Sequence, residues 1–391
     1  MLHSGTNERG AGIPSMTKEI ADFSWAGREA MLLAPYAMHG CESQGRRFPE
    51  ADHPYRGPYQ RDRDRVLHSS AFRRLSGKTQ VFTGTMGDYH RTRMTHTMEV
   101  ASIARTIGRA LRLNEDLIET LALLHDIGHP PFGHAGEEAL NDLLTDEGGF
   151  SHNQYALTLV EELERPYPQF PGLNLTREVL ESQAYRIRKS HEERPPLLET
   201  QVVDLADSIT YDAHDVDDAV KLNWLTLGDL GHLDLIRECG EAVQRQFGEL
   251  EGRALRRSIV HELINRQVRD VLSTFQDQLA TYAWPADETE IATVRLSYSP
   301  ELAARKGELE RFLYQRVYRH PRLIEARNEA QHRLRELVEH YAAHPELLPS
   351  GYRARGETFG CLRGAADYVA GMTDRFCLER HRRYVKPDDP A

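Results

Sequence analysis

Apolar residues recur at helical intervals along most of the chain, and between Arg61 and about Leu225 no convincing run of alternating apolar and polar residues intervenes, as a half-buried strand would require. The first 58 residues differ. They mix polar residues with Gly and Pro, end in Pro54, Gly57 and Pro58, and predict an irregular arm around one short helix near Trp25 to Leu33. Helical periodicity continues from about Leu230 to Tyr341, interrupted by a loop at Trp284, Pro285 and Ala286. A last segment from Glu346 opens on loop signals at Pro349, Ser350 and Gly351 and closes with a helix around Ala365 to Tyr384. The pattern predicts an all-α protein: an arm over 1–58, a helical core over 59–225, and an additional helical C-terminal lobe over 226–391 packed on that core. Neither an internal repeat nor a low-complexity tract is present.

Composition narrows the class. The 391 residues allow two or three domains, or one large helical domain with lobes. With 40% hydrophobic and 28% charged residues, collagen-like and wholly disordered chains are excluded. A net charge of −11 and a pI near 6.0 argue against a general surface for duplex DNA, while leaving room for a local basic pocket that takes phosphates. Cys41, Cys239, Cys361 and Cys377 form no C-x-x-C pair, so neither a disulfide framework nor a thiolate zinc site is expected, and a reducing cytoplasm fits. Met1 to Thr17 lacks the apolar stretch of a secretory signal, with Met16 as a candidate start. Apolar runs such as Ala30 to Ala34 fall far short of the roughly 20 residues that span a bilayer, so no membrane role is expected.

Candidate chemistry gathers between His96 and Asp215. Asn114 can cap a helix whose positive end carries Glu115 and Asp116 and whose apolar face is Leu117, Leu121 and Leu124. His125 lies one turn beyond Leu121 and so faces the core. Gly128, Pro130, Pro131 and Gly133 then force the chain out of the helix, collecting His125, Asp126, His129 and His134 around one helix end. Upstream, His96 shares a face with Val100, Ile103 and Ile107; downstream, Asp207, Tyr211 and Asp215 stack along another, one turn after Val203. Ionisable side chains in a row beside a core need a cavity, a metal or a ligand, because an unpaired buried charge is costly. Two imidazoles and two carboxylates, His96, His125, Asp126 and Asp207, suit a divalent cation such as Mn, Mg, Fe, Co or Zn with positions left open. The alternation of Arg61, Asp62, Arg63, Asp64 and Arg65 reads as a salt-bridge knot fixing a helix start, and Asp217 and Asp218 as a solvated face.

These residues also carry a family pattern. The stretches R-D-R-D-R-V-L-H-S-S-A-F-R-R-L at 61–75, K-T-Q-V-F at 78–82, R-T-R-M-T-H at 91–96, H-D-I-G-H-P-P-F-G-H-A-G-E at 125–137 and A-D-S-I-T-Y-D-A-H-D at 206–215 resemble the HD-domain deoxynucleoside triphosphate triphosphohydrolases. The bacterial deoxyguanosinetriphosphate triphosphohydrolase-like proteins are the nearer likeness, and the mammalian SAM- and HD-domain enzyme a more distant one. The resemblance is strong over 58–225 and weaker to about 385, where D-Y-V-A-G-M-T-D-R at 367–375 matches the family's C-terminal helix.

The resemblance implies an HD-domain core with His96, His125, Asp126 and Asp207 as metal ligands, the set already reached from the helical faces. It implies that His134 protonates the leaving 5′ oxygen, that Glu137 orients it, and that Arg93, His129 and His152 contact phosphates. Gln80, Tyr211 and Asp215 would surround the deoxyribose 3′-OH, with Tyr211 packed against the sugar. The implied reaction is attack of water on the α-phosphorus of a dNTP, giving deoxynucleoside and inorganic triphosphate. Ser208 follows Asp207 where the mammalian relative carries Lys, so the residues holding the β- and γ-phosphates stay open; Arg186, Arg188, Lys189 and Lys221 are candidates by charge and position. The resemblance further points to a homo-oligomer, hexamers being common in the family, and leaves room for an activating nucleotide. Two other readings stand beside it: another HD phosphohydrolase, such as a 5′-nucleotidase or cyclic nucleotide phosphodiesterase, and a nucleotide sensor or single-stranded nucleic-acid binder. The acidic charge and the lack of an aromatic-basic stripe argue against the binder.

Overall fold

The computed structural model describes residues 24–80, 91–188, 195–281 and 294–386. They hold seventeen α-helices, and among them β pairing is limited to two isolated bridges, Arg46 with Thr176 and Thr79 with Thr92, so the all-α expectation is met. The loop expected at Trp284 to Ala286 lies outside the described residues.

Local signals start most helices. In the arm, α1 (Trp25–Leu32) is capped by Ser24, whose hydroxyl accepts from Gly27 N–H at 3.0 Å. Helix α2 (Pro58–Leu67) carries the Arg/Asp alternation, which works as a clamp. Asp62 is fully buried, pairs with Arg46 and accepts from Thr176 N–H (2.9 Å), while Arg65 donates to the carbonyls of Leu173 (2.8 Å) and Asn174 (2.9 Å). After α3 (Ser70–Arg74), α4 (Arg93–Ala110) opens on a capping box of Thr92 and Thr95 and buries His96, Val100 and Ile107. Helix α5 (Glu115–Leu124) is capped by Asn114, whose side chain accepts from Leu117 N–H at 3.3 Å, and is buried nearly all round. It is the central helix, packed against α2 and α4 and, beyond α6 (His134–Leu143) and α7 (His152–Thr158), against α8 (Arg177–Arg188) and α9 (Leu198–Lys221).

The chain continues through α10 (Leu227–Leu230), α11 (Asp234–Phe247), α12 (Gly252–Leu279), α13 (Pro300–Leu313), α14 (Pro321–Ala343), α15 (Ser350–Phe359), α16 (Cys361–Ala370) and α17 (Asp374–Tyr384). Two apolar cores result, and α9 belongs to both. Val202, Val203, Ala206 and Ile209 lie in the larger one; Val216 and Ala219 join Ile236, Leu309 and Leu313 in the smaller. The last helices return to the larger core through Leu334, Leu337, Ala366, Val369 and Cys377.

Three expectations are corrected here. Ser350 and Gly351 open α15 instead of a loop, since Pro349 sits at its cap and the same residues that mark turns also start helices. The single helix expected over Ala365 to Tyr384 is two, because Thr373 adopts an extended conformation and its hydroxyl caps a new helix at Phe376 N–H (3.3 Å). Asp217 and Asp218 do not form a solvated face: Arg91 reaches both, at 3.4 and 3.2 Å, and Asp218 is buried.

Candidate active site

The first turn of α4 supplies Arg93 and His96, the end of α5 supplies His125 and Asp126, and the middle of α9 supplies Asp207. After Asp126 the Gly/Pro-rich turn reverses the chain, with Phe132 at φ 64 and Gly133 at φ 58, and restarts it as α6 at His134. Gly133 is required there. A Cβ on it would meet Arg93 Nη2 at 2.9 Å and the Gln80 carbonyl at 3.2 Å.

The four residues of the expected ligand set converge. His96 Nε2 lies 2.9 Å from Asp207 Oδ1, and His125 Nε2 lies 3.8 Å from the same oxygen and 3.6 Å from Asp126 Oδ1. His125 Nδ1 donates to the Ala122 carbonyl at 2.6 Å, so Nε2 keeps its lone pair; it is buried and has no hydrogen-bond partner. Burial lowers the His125 pKa and keeps the ring neutral. Burial alone would raise both carboxyls, but Arg93 and the hydrogen bond from His129 hold Asp126, and the contact with His96 holds Asp207, well below the usual carboxylate range. An unpaired lone pair facing two ionised carboxylates is a donor set that fits a divalent cation.

A wall of nitrogen-bearing side chains stands beside it. Arg93, 1% exposed, donates to Asp126 Oδ2 (2.9 Å) and to the Gln80 carbonyl (3.3 Å). His129 Nε2 is 3.1 Å from Asp126 Oδ1, and its ring stacks on His152 with centroids 3.8 Å apart. Glu137 accepts from both the backbone N–H and the ring Nδ1 of His152 at 2.8 Å, whereas His134 Nδ1 stands 3.6 Å away. Glu137 thus grips His152 more closely than His134. Burial would raise its carboxyl, but the His134 and His152 rings keep it far below the ordinary range.

Two cavities meet at this point. A polar one of about 310 Å³ is lined by Arg93, the four candidate ligands, His129, His152 and Arg186. The other, of about 400 Å³, is lined by Phe132, Leu313, Tyr314, Tyr318, Leu323 and Asp215. Gln80, His134 and Tyr211 belong to both. Tyr318 donates to Asp215 Oδ2 at 2.7 Å and meets the Tyr211 hydroxyl. Burial, helped by the neighbouring Asp212 and Asp218, pushes Asp215 up to about 8. Around the two cavities five buried polar atoms are unpaired: His125 Nε2, His129 Nδ1, Arg93 Nε, Gln80 Oε1 and Asp215 Oδ1.

The structure therefore brings together all twelve expected site residues. Of the four cations considered for the β- and γ-phosphates, Arg186 lines the polar cavity while donating to Asp204 (3.0 Å); Arg188 and Lys221 are exposed, and Lys189 lies outside the described residues. Sequence reasoning missed Tyr318, which sits in a π-helical turn over Tyr314–Tyr318 where no regular period applies. His214, one position off the Asp207–Asp215 line, was also passed over, yet it is buried against His96.

Comparison with known proteins shows the family. Residues 93–212 match the HD domain and residues 296–383 a phosphohydrolase-associated domain. A protein named deoxyguanosinetriphosphate triphosphohydrolase-like protein from Geobacter metallireducens is 40% identical over 92% of this chain and 97% of its own. Proteins of the same name from Leptospira interrogans (41%, covering 89% of this chain and 95% of its own) and Thiobacillus denitrificans (40%, 90% and 96%) are similar.

Proposed function

The chain belongs to the HD-domain phosphohydrolases of the deoxyguanosinetriphosphate triphosphohydrolase-like family, and on that premise we propose that it hydrolyses deoxynucleoside triphosphates to deoxynucleoside and inorganic triphosphate. The observation that carries this reading is the pair of cavities joined at Gln80, His134 and Tyr211. A polar compartment suits a triphosphate and an aromatic one a nucleoside. The bond between them, from α-phosphorus to O5′, then falls at the junction where His134 stands.

In this reading water adds to the α-phosphorus and releases a proton to solvent, the P–O5′ bond breaks, and His134 gives its proton to O5′ and regains one from solvent, since an alkoxide leaves poorly near neutral pH. Arg93, fixed by Asp126, offsets charge that builds on the phosphoryl oxygens, with His129 and His152 beside it. A divalent cation held by His96, His125, Asp126 and Asp207 would supply Lewis acidity toward phosphoryl oxygen and water. Glu137 orients His152 and stands next to His134. Tyr211 faces the sugar, the unpaired Gln80 Oε1 is an acceptor suited to a 3′-OH, and the unpaired Asp215 Oδ1 is a second hydrogen-bonding partner for it. A reducing cytoplasm, consistent with four free cysteines, and a homo-oligomer complete the reading. No helix among the described residues is long and apolar enough to cross a membrane.

The test is incubation with each dNTP, singly and mixed, with Mn²⁺ or Mg²⁺, and separation of products by anion exchange. Deoxynucleoside with triphosphate is expected; turnover confined to mixtures would add an activating nucleotide. Monophosphate with pyrophosphate, or no turnover under any condition, overturns the proposal and moves the chain to another HD phosphohydrolase activity.

A further inference from the structure

His96 is gripped on the side away from Asp207. Its Nδ1 lies 3.4 Å from Nδ1 of His214, and the two rings meet edge to face with centroids 5.3 Å apart. His214 in turn places its Nε2 2.5 Å from Glu99 Oε2. His214 is 4% exposed; the Glu99 side chain is half exposed and also takes Arg91 at 3.1 Å. Nothing in the sequence patterns assigned either residue a role.

The hydrogens along this chain of contacts follow from what each group is able to do. An ionised carboxylate only accepts, so His214 Nε2 donates to Glu99. A single hydrogen fits between the two Nδ1 atoms. For His96 to turn an Nε2 lone pair toward a cation, its own Nδ1 must carry that hydrogen, which leaves His214 Nδ1 as the acceptor. We propose that Glu99 and His214 are positioning residues that fix both the orientation and the tautomer of His96 for cation binding. The proposal rests on His96 being a ligand in the reading above. His125 reaches the same tautomer by a different route, the Ala122 carbonyl, so both imidazoles present Nε2 to one point. Partners of this kind on ligating histidines typically change metal affinity by about 10- to 100-fold when removed.

Mn²⁺ alone is the probe, titrated into the full chain and followed by the EPR signal of the free ion, so that no turnover is needed. His214→Leu removes the acceptor and should weaken Mn²⁺ binding by about 10- to 100-fold. His214→Asn keeps an amide oxygen near the position of Nδ1 while losing the Glu99 contact, and should stay within a few-fold of wild type. A merely structural role predicts equal losses in both. Equal Mn²⁺ affinity in His214→Leu and wild type, or equally weak binding in the two variants, overturns the proposal. Should circular dichroism show either His214 variant unfolded, the half-exposed Glu99→Gln decides: severalfold weaker binding supports the proposal and unchanged binding overturns it. A wild-type chain that takes up no Mn²⁺ overturns the ligand reading and this proposal together, whereas binding that survives in His214→Leu overturns this one alone.

Discussion

An unpaired polar atom in a protein interior costs about 1–3 kcal/mol, and His125 Nε2, His129 Nδ1, Arg93 Nε, Gln80 Oε1 and Asp215 Oδ1 leave five such atoms around two adjoining cavities. His125→Ala and Asp207→Ala should therefore abolish both Mn²⁺ uptake and turnover. His134→Ala should keep the cation and lower kcat by about 10²- to 10⁴-fold; calorimetric titration with Mn²⁺ beside a product assay separates the two, and loss of the cation in that variant would remove His134 from the proton-donor role. Asp215 supplies a pH prediction. Its carboxyl holds a proton up to about 8 when folded and to about 3.9 when unfolded, so between those values the folded state binds more protons and stability falls as pH rises. Asp215→Asn should raise the melting temperature above pH 8 and leave it unchanged near pH 4. A gain equal at both pH values would refute burial of an ionised carboxylate as the cause. At this scale much was legible, because spacing alone turns His96 and His125 toward the core and sets Asp207 in line with Tyr211 and Asp215; Asp207 itself borders the polar cavity, its side chain 43% exposed. Tyr318 and His214 were not: one lies in a π-turn and the other beside, not on, the periodic line.

Among the elements, the turn between α5 and α6 decides the geometry. A Cβ on Gly128 would meet the His152 carbonyl at 2.0 Å and Ala156 N at 2.6 Å, both backbone atoms of α7 that cannot swing aside. Gly128→Ala should push α7 away, break the His129–His152 stack, and destabilise the protein by more than about 3 kcal/mol. Urea unfolding measures that loss, and a variant within 1 kcal/mol of wild type would show that α7 relocates freely. The Gly and Pro residues of this turn, like Asn114 ahead of α5, were readable because each restricts or frees the backbone in one way. Ser350, Gly351 and Thr373 were not, since small polar residues mark loops and helix starts alike, and only tertiary packing chose between them.

For the whole molecule, the feature that matters is α9, which carries Asp207, Tyr211 and Asp215 and lends apolar residues to both cores. The all-α class and the helical C-terminal region were legible from period alone. The sharing of one helix by two cores was not, because periodicity says which face is buried and never against what. Lys306 of α13 pins the smaller core to this helix, donating to Asp212 at 2.5 Å from a site where both are buried. Burial pushes Asp212 up to about 6 even with Lys306 beside it, so the folded carboxyl takes its proton at higher pH than the unfolded one. Lys306→Met should cost about 3 kcal/mol at pH 8, where an ionised carboxylate is left unpaired, and clearly less at pH 5, where Asp212 is protonated; equal losses by urea unfolding at the two values would rule out the charge pair as the link. The shared helix also bears on how the protein fails when heated. A body whose two cores own the same helix has no seam along which one half can melt first, so scanning calorimetry should record a single endotherm. On the proposed ligand set, which includes Asp207 at the middle of that helix, saturating Mn²⁺ should carry the whole peak upward, by the equivalent of about 2.7 kcal/mol at a hundred times its dissociation constant.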